Sequence, residues 1–319
     1  VETTVAVIIP CKTAGSYLDE CLAHLQRQTY RAFEVYVVPD EPLALADPKV
    51  HVIPSGPALP NRKRQLAAAA TDAEVVAFID DDAYPDPGWL AAAVRHFADP
   101  SVVAAGGPAL TPVADSPRQR ASGAVYASWL ITAWTRHRYV PEPQRDVESL
   151  PSCNLVMRRE AFLRNVEATV DYWPGEDILL CLLATRDGKR IVYDPQAAVY
   201  HHRRAVFAAH LRQVWNYGRR GWFFRRLNRS WRHGAFAIPA AFVLAHAVAV
   251  AAIPRPRLRA PVLLVGASYA ALVTWSALRE ARAARTNPWL VGVGIYLTHL
   301  TYGSGTIAGC LRGERRRDA

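Results

Sequence analysis

The sequence predicts an α/β fold: a Rossmann-like parallel sheet covered on both faces, then basic interfacial helices and C-terminal transmembrane helices. Three observations carry this reading. The apolar runs at 5–9, 33–38 and 75–79 are continuous rather than alternating, as strands buried on both faces are, and helical patterns separate them. Three acids, Asp80, Asp81 and Asp82, follow the third run directly, where strand ends of an open sheet face the ligand crevice. From Gly234 onward the chain turns strongly apolar, with long stretches free of Asp, Glu, Lys and Arg. The expected organisation is an α/β domain over 1–204, basic interfacial helices over 205–233 and a membrane domain over 234–319.

Each element follows from its residues. After the first strand comes a helix over 16–28, where Leu18, Cys21, Leu22 and Leu25 share one face. The strand at 33–38, a short one near 50–54, a helix over 61–70 and the strand at 75–79 continue the alternation. The turn Pro85-Asp86-Pro87-Gly88 precedes a helix over 89–97, and 102–110 reads as a further strand. Residues 111–150, with scattered Pro, Arg and aromatics, read as an irregular insertion with some helix, the composition of a substrate-covering loop. Pro174-Gly175-Glu176-Asp177 opens a helix to about Arg186, with Gly188 placed for a left-handed cap. Short strands follow at 191–193 and 197–200.

The chain has 319 residues and a formal net charge of +10. Its arginines gather between Arg203 and Arg232 and at the ends of the apolar segments, which suits an anionic membrane surface better than nucleic acid. No zinc-finger or RNA-binding signature is present. Cys11, Cys21, Cys153, Cys181 and Cys310 form an odd, widely spaced set without a CxxC pair, so reduced thiols in a cytosolic domain are expected. The first strand begins so early that no signal peptide is read.

Three membrane candidates are expected, at 234–253, 260–278 and 288–311, each near the roughly 20 residues that cross about 30 Å of hydrocarbon. The expected location is a cell membrane, multi-pass, with the catalytic domain cytoplasmic. Three spans would set that domain and the tail 312–317 on opposite sides and leave Arg255, Arg257 and Arg259 in an outer loop. One segment is therefore also read as re-entrant or interfacial. Gly305 and Gly309 form a GxxxG pair that suits a close helix contact.

Adjacent carboxylates at a strand end suit a divalent cation, Mg²⁺ or Mn²⁺, bridging a diphosphate, although a solvated acidic turn has the same composition. The context resolves into a family. The opening Val-Ala-Val-Ile-Ile-Pro, the run Leu-Asp-Glu-Cys-Leu-Ala-His-Leu-Gln-Arg-Gln-Thr-Tyr and Phe-Glu-Val-Tyr-Val-Val-Pro-Asp resemble the first βαβ unit of family 2 glycosyltransferases, over about residues 5–230. That resemblance implies a GT-A nucleotide-sugar-binding domain and inverting transfer of a sugar from a nucleotide-sugar donor, with UDP expected.

The resemblance also implies roles. Pro10 and Asp40 belong to the donor side, Asp40 at the base or ribose, while Pro39 replaces the family's first acid there. Asn61-Arg62-Lys63-Arg64-Gln65-Leu66 resembles the Ala-Arg-Asn segment, with Arg62 taken as its arginine and able to fork onto diphosphate oxygens. Asp80-Asp81-Asp82 matches the DxD motif, Asp80 and Asp81 toward the donor and Asp82 as metal ligand. Cys153-Asn154-Leu155-Val156-Met157-Arg158-Arg159 resembles the strand and turn that line the donor sugar. Glu176 belongs to the donor side, and Asp177 is the general base that takes the proton of the attacking hydroxyl. His201 is expected to ligate metal or contact phosphate. Trp173, Gln213, Arg219 and Trp222 are assigned to acceptor or phosphate, without the strict Gln-x-x-Arg-Trp motif of processive relatives. The expected acceptor is lipid-linked, such as a polyprenyl-linked glycan in cell-envelope polysaccharide or glycolipid synthesis. A processive synthase and a noncatalytic membrane scaffold are the alternatives.

Overall fold

The computed structural model describes residues 2–45, 47–227 and 237–312, with 222–227 described by backbone course alone. The chain resolves into two units: 1–112 with 137–202, and 113–136 with 203–319.

Along the first part run β1 (Val5–Pro10), α1 (Ser16–Leu25), β2 (Phe33–Val38), β3 (Val50–Val52), α2 (Pro60–Ala69), β4 (Val75–Phe78), β5 (Ala83–Pro85) and α3 (Trp89–Val94). Next come β6 (Val102–Gly106), β7 (Ala109–Leu110), α4 (Pro117–Ala127), α5 (Trp129–Thr132) and β8 (Arg145–Asp146). The series continues with β9 (Leu155–Arg158), α6 (Arg159–Val166), α7 (Glu176–Ala184), β10 (Arg190–Tyr193), β11 (Val199–His201) and α8 (Ala208–Leu227). Three helices follow, Ile238–Ala252, Pro256–Ala283 and Pro288–Arg312.

In the first unit an eight-stranded sheet has the order β3-β2-β1-β4-β9-β6-β10-β8. The β3-β2-β1-β4 half is parallel, whereas β9 runs antiparallel to both β4 and β6. Its strands β1, β4 and β6 are apolar and buried throughout because both faces are covered. Val5, Val7 and Ile9 of β1 pack with Leu18, Cys21 and Leu25 of α1, while Ala6 and Ile8 belong with Ala67, Ala68 and Phe162 on the other face. Burying each of the Val, Leu, Ile and Phe side chains among these contributes roughly 1.5–3 kcal/mol. Four cysteines lie in this interior as free thiols and Cys310 is exposed.

The expected single strand over 102–110 is two strands in two sheets. β6 stays in the main sheet, and β7 joins a second sheet of order β5-β11-β7. The break is at Gly106-Gly107-Pro108. A Cβ on Gly106 would collide with the carbonyl of Asn154, and one on Gly107 with those of Asp194 and Ala197, so only glycine admits the crossing of these backbones. Gly188 has φ +72° and its N–H donates to the Thr185 carbonyl (3.2 Å), closing the turn after α7.

Residues 113–136 belong to the second unit, apart from the rest of the expected insertion. Ser116 and Gln119 form a reciprocal capping box at the start of α4. A small-residue core of Ala121, Ala124, Val125, Val206, Val273, Ala277, Ala281, Val291 and Ile295 holds this unit. Buried His210 is satisfied on both ring nitrogens, by Ser122 (2.8 Å) and Thr298 (2.9 Å). Among the described residues one helix, Pro256–Ala283, is long and apolar enough to cross a membrane, with only 17% of its apolar window buried. Ile238–Ala252 is apolar but has 15 residues, about 22 Å. Pro288–Arg312 carries Thr298, His299 and Thr301 among repeated glycines, which lowers its hydropathy. The expected basic stretch at 228–232 and the tail from 313 lie outside the described residues.

Candidate active site

Because β1, β2 and β4 are parallel, their C-terminal ends emerge on one edge of the sheet, and Asp40 and Asp80 follow two of them. Asp80 begins a turn in which its carbonyl accepts from the Ala83 N–H (3.1 Å), so Asp82 immediately precedes β5. β5 pairs antiparallel with β11, setting Ala83 opposite His201. That register delivers the imidazole: His201 Nε2 lies 3.0 Å from Asp82 Oδ1. The His202 N–H also donates to the Asp82 carbonyl (3.0 Å).

One ligand atom from each of Asp80, Asp82 and His201 falls within a 4.8 Å group. Two carboxylates and an imidazole, all half-buried, fit a divalent cation of the Mn²⁺ or Mg²⁺ type, which takes few protein ligands and completes its shell with water and phosphate. Asp81 stands in the same turn. Its charge adds to burial in pushing the Cys11 thiol up to about 11.

The arginine at the centre of this edge is Arg64, not Arg62. Arg64 is 1% exposed and donates from Nη2 to Asp80 Oδ1 (2.9 Å) and from Nη1 to Glu176 Oε1 (3.2 Å) and Asn61 Oδ1 (3.0 Å), with its guanidinium over the Phe78 ring. Arg62 is half-exposed and pairs with Gln65 (2.6 Å) and Glu167 (3.5 Å). The physical reason is helical phase. Ala67 and Ala68 face the core, so the residues one turn earlier, Lys63 and Arg64, share their side of α2 while position 62 turns away.

Lys63 is the second residue the sequence reading missed. It is buried, and its ammonium donates to Asp40 Oδ1 and to the Cys11 carbonyl. Asp40, expected at the base or ribose, therefore already holds an ion pair.

Gly175 precedes α7 with φ +104°, a conformation that L side chains rarely adopt, and its N–H donates to Glu176 Oε2 (3.0 Å). Glu176 is thus turned inward. Burial, reinforced by the neighbouring Asp177 charge and opposed by Arg64, pushes its carboxyl up to about 7. Expected at the donor, Glu176 instead ties α7 to α2 through Arg64, because its inward position at 5% exposure needs a cationic partner. Asp177 is half-buried, and its carboxylate accepts from the Ser152 N–H (3.3 Å) and the Ile178 N–H (2.8 Å). These backbone donors fix its orientation.

Asn154, expected along the donor sugar, is fully buried. It accepts from Trp89 Nε1 (2.8 Å) and donates to the carbonyls of Pro108 (3.2 Å) and Ala197 (2.8 Å), which ties the two sheets. Pro10 is buried at the end of β1, and Trp173 is exposed just before the Gly175 turn. Gln213 and Arg219 lie on α8 in the second unit, where Gln213 donates to the Tyr217 hydroxyl (2.9 Å). The side chain of Trp222 lies outside the described residues.

Residues 6–164 match the model of a family described as "Glycosyl transferase family 2". Two relatives, both pre-mycofactocin glycosyltransferases from Mycobacterium tuberculosis (strains CDC 1551 / Oshkosh and ATCC 25618 / H37Rv), are each 31% identical over 214 residues, 63% of this chain and 43% of theirs. The chain spans less than half the length of these curated relatives. A solved mannosyltransferase, PcManGT from Pyrobaculum calidifontis in complex with GDP-Man and Mn²⁺, matches with a TM-score of 0.65 at 18% identity, over 99% of this chain and 89% of that one. At that identity the likeness is one of fold.

Proposed function

This chain belongs to glycosyl transferase family 2, and from that premise we propose that it is an inverting glycosyltransferase acting on a nucleotide-sugar donor. The observation that carries the reading is the Arg64 bridge: one buried guanidinium touches Asp80 of the acid cluster and Glu176, the neighbour of Asp177. The bridge supports reading the acid cluster and Asp177, the next residue after Glu176, as parts of one site, as direct displacement at an anomeric carbon would require.

In this reading the acceptor hydroxyl oxygen bonds to the anomeric carbon as the bond from that carbon to the diphosphate oxygen breaks. Asp177 takes the hydroxyl proton, and the bond's electron pair leaves with the diphosphate. Asp177 suits this role because it is reachable and held by backbone donors, while Glu176 is closed off. A divalent cation, Mg²⁺ or Mn²⁺, held by Asp82 and His201 with Asp80 beside them would supply Lewis-acid stabilisation of the leaving diphosphate. Arg64 orders the acids around it.

The donor is read as a UDP-sugar and the acceptor as membrane-associated, such as a polyprenyl-linked glycan, in cell-envelope polysaccharide or glycolipid synthesis. Support for the membrane context is the apolar helix Pro256–Ala283, which leaves Leu263, Leu264 and Val265 about 70% exposed, and the basic helix α8. Further spans, a cytoplasmic catalytic unit, and acceptor roles for Trp173, Gln213, Arg219 and Trp222 complete the proposal.

The test is donor turnover in Mg²⁺ or Mn²⁺ with two variants. Asp177→Asn is expected to keep donor binding and lose transfer by about 10²–10⁴-fold. Asp82→Asn is expected to weaken metal-dependent donor binding. Near wild-type turnover in Asp177→Asn would remove the base assignment, and inert wild-type protein with every sugar nucleotide tried would favour a noncatalytic scaffold.

A further inference from the structure

We infer that the cleft at the C-terminal end of helix Pro256–Ala283 holds the headgroup of an anionic phospholipid, its phosphate gripped by Arg279 and Arg282. The inference rests on the membrane reading above and concerns no residue of the transfer site. It starts from a spacing: Arg259 and Arg279 lie twenty positions apart on one helix, about 30 Å, the depth of a bilayer's hydrocarbon core. Charge thus brackets the apolar stretch at both ends.

The two ends differ in what their arginines touch. At the first, Arg255 Nη1 donates to the Ala251 carbonyl (2.6 Å) and Arg259 Nε to that of Ile253 (2.8 Å), so the fold itself occupies them. At the other, Arg282 is exposed and makes no hydrogen bond or ion pair among the described residues, while Arg279 engages only Nε, 3.7 Å from Glu280, and lies over the Trp275 ring. Its two Nη groups remain for a ligand. Between 272 and 290 three arginines, Arg279, Arg282 and Arg285, face one acid, and that acid, Glu280, is buried beside Arg136 as well (3.7 Å). A surplus of positive charge results.

The cleft is fixed in shape. It measures about 630 Å³ and is lined by Trp275, Leu278, Arg279, Arg282, Thr286 and Pro288. Thr286 donates from its N–H to the Ala281 carbonyl (3.0 Å) and from Oγ1 to that of Pro117 (2.7 Å), and the Arg285 carbonyl accepts from Arg120 Nη2 (3.0 Å), which pins the turn after the helix. Trp275, Leu278, Arg279 and Arg282 recur at helical spacing and share one face, which continues along the helix through the exposed Leu272 and Leu264. Guanidinium forks suit phosphate oxygens, an indole suits the interfacial zone, and an apolar stripe suits an acyl chain. A phospholipid offers partners for all three. The surplus of arginine selects an anionic one.

The experiment follows thermal unfolding of the full chain in neutral detergent with short-chain phosphatidylglycerol, short-chain phosphatidylcholine or inorganic phosphate added. Phosphatidylglycerol should raise Tm by about 2–4 °C or more, since a ligand bound only by the folded state stabilises it, and the other two should not. Arg279→Gln with Arg282→Gln should lose the rise, whereas Arg257→Gln with Arg259→Gln, which removes as much charge at the far end, should keep it. An equal rise with phosphatidylcholine or free phosphate overturns the inference, as does a rise that survives the first pair or falls equally in the second. Should the first pair fail to fold, Arg282→Gln alone, at an exposed side chain, decides. Wild-type protein that floats with lipid vesicles yet shows no rise overturns the inference and leaves the membrane reading standing; wild-type protein that stays off vesicles removes both.

Discussion

Glu176 and Asp177 are adjacent and chemically alike, yet the backbone turn at Gly175 sends one inward and leaves the other accessible. The inward acid has a pH signature. Its folded-state pKa of about 7 lies above the ordinary 4.5, so between those values the native state keeps a proton that the unfolded chain gives up. Its contribution to stability is fully present below pH 4.5 and lost as pH rises through 7. Thermal unfolding of wild-type protein and Glu176→Gln at about pH 5 and 7.5 should show the wild-type loss and its near absence in the variant. The acid pair itself was legible in the sequence, because it opens a helix after Pro174-Gly175. Arg64 was not, although the signal was there. Motif resemblance pointed to Arg62, whereas the 3.6-residue phase set by Ala67 and Ala68 points to 63 and 64. Lys63 was hidden for a related reason: a lysine reads as solvent-facing until its partners, Asp40 and Cys11 from two other elements, are in place.

At the scale of elements, the parallel strands were readable because burial on both faces writes a continuous apolar run. The run over 102–110 reads the same way but serves two sheets; its Gly106-Gly107 pair was the overlooked mark of backbone crossing. Gly305 and Gly309 behave as their spacing suggested. A Cβ on Gly305 would lie 2.7 Å from the Trp215 carbonyl, and one on Gly309 would strike the Arg219 backbone, so Pro288–Arg312 and α8 pack main chain against main chain. Gly309→Val should therefore destabilise the second unit by about 1–3 kcal/mol or more, read as a lowered Tm in detergent, while a valine at Gly266, where an added Cβ meets nothing within 4 Å, should cost far less.

At the scale of the whole molecule, the chain passes between the two units three times, since 113–136 belongs with the C-terminal helices. No local pattern announces that return, because α4 is a short helix whose partners are remote in sequence, from His210, 88 residues beyond Ser122, to the still more distant Val273 and Val291. The second unit exposes Leu244, Val248, Val250, Leu263, Leu264, Val265, Leu272 and Trp275, an apolar surface that water does not favour. Full-length protein should float with lipid vesicles on a density gradient, and Leu264→Asp with Val265→Asp should shift it toward the soluble fraction. Retention of the double variant on vesicles would show that other helices carry the attachment. The rung between Ala83 and His201 has a longer reach, for it clasps positions 119 apart at Asp82 and His201. A slip of one residue along that ladder would turn the imidazole to the opposite side, so the rung tolerates little change. The stretch between its ends has restraints of its own in β6, β9, β10, Asn154 and Asp177, and only the loops that join these parts escape them. Loops there can be lengthened, trimmed or exchanged over evolutionary time while the clasp of Asp82 on His201 is inherited intact.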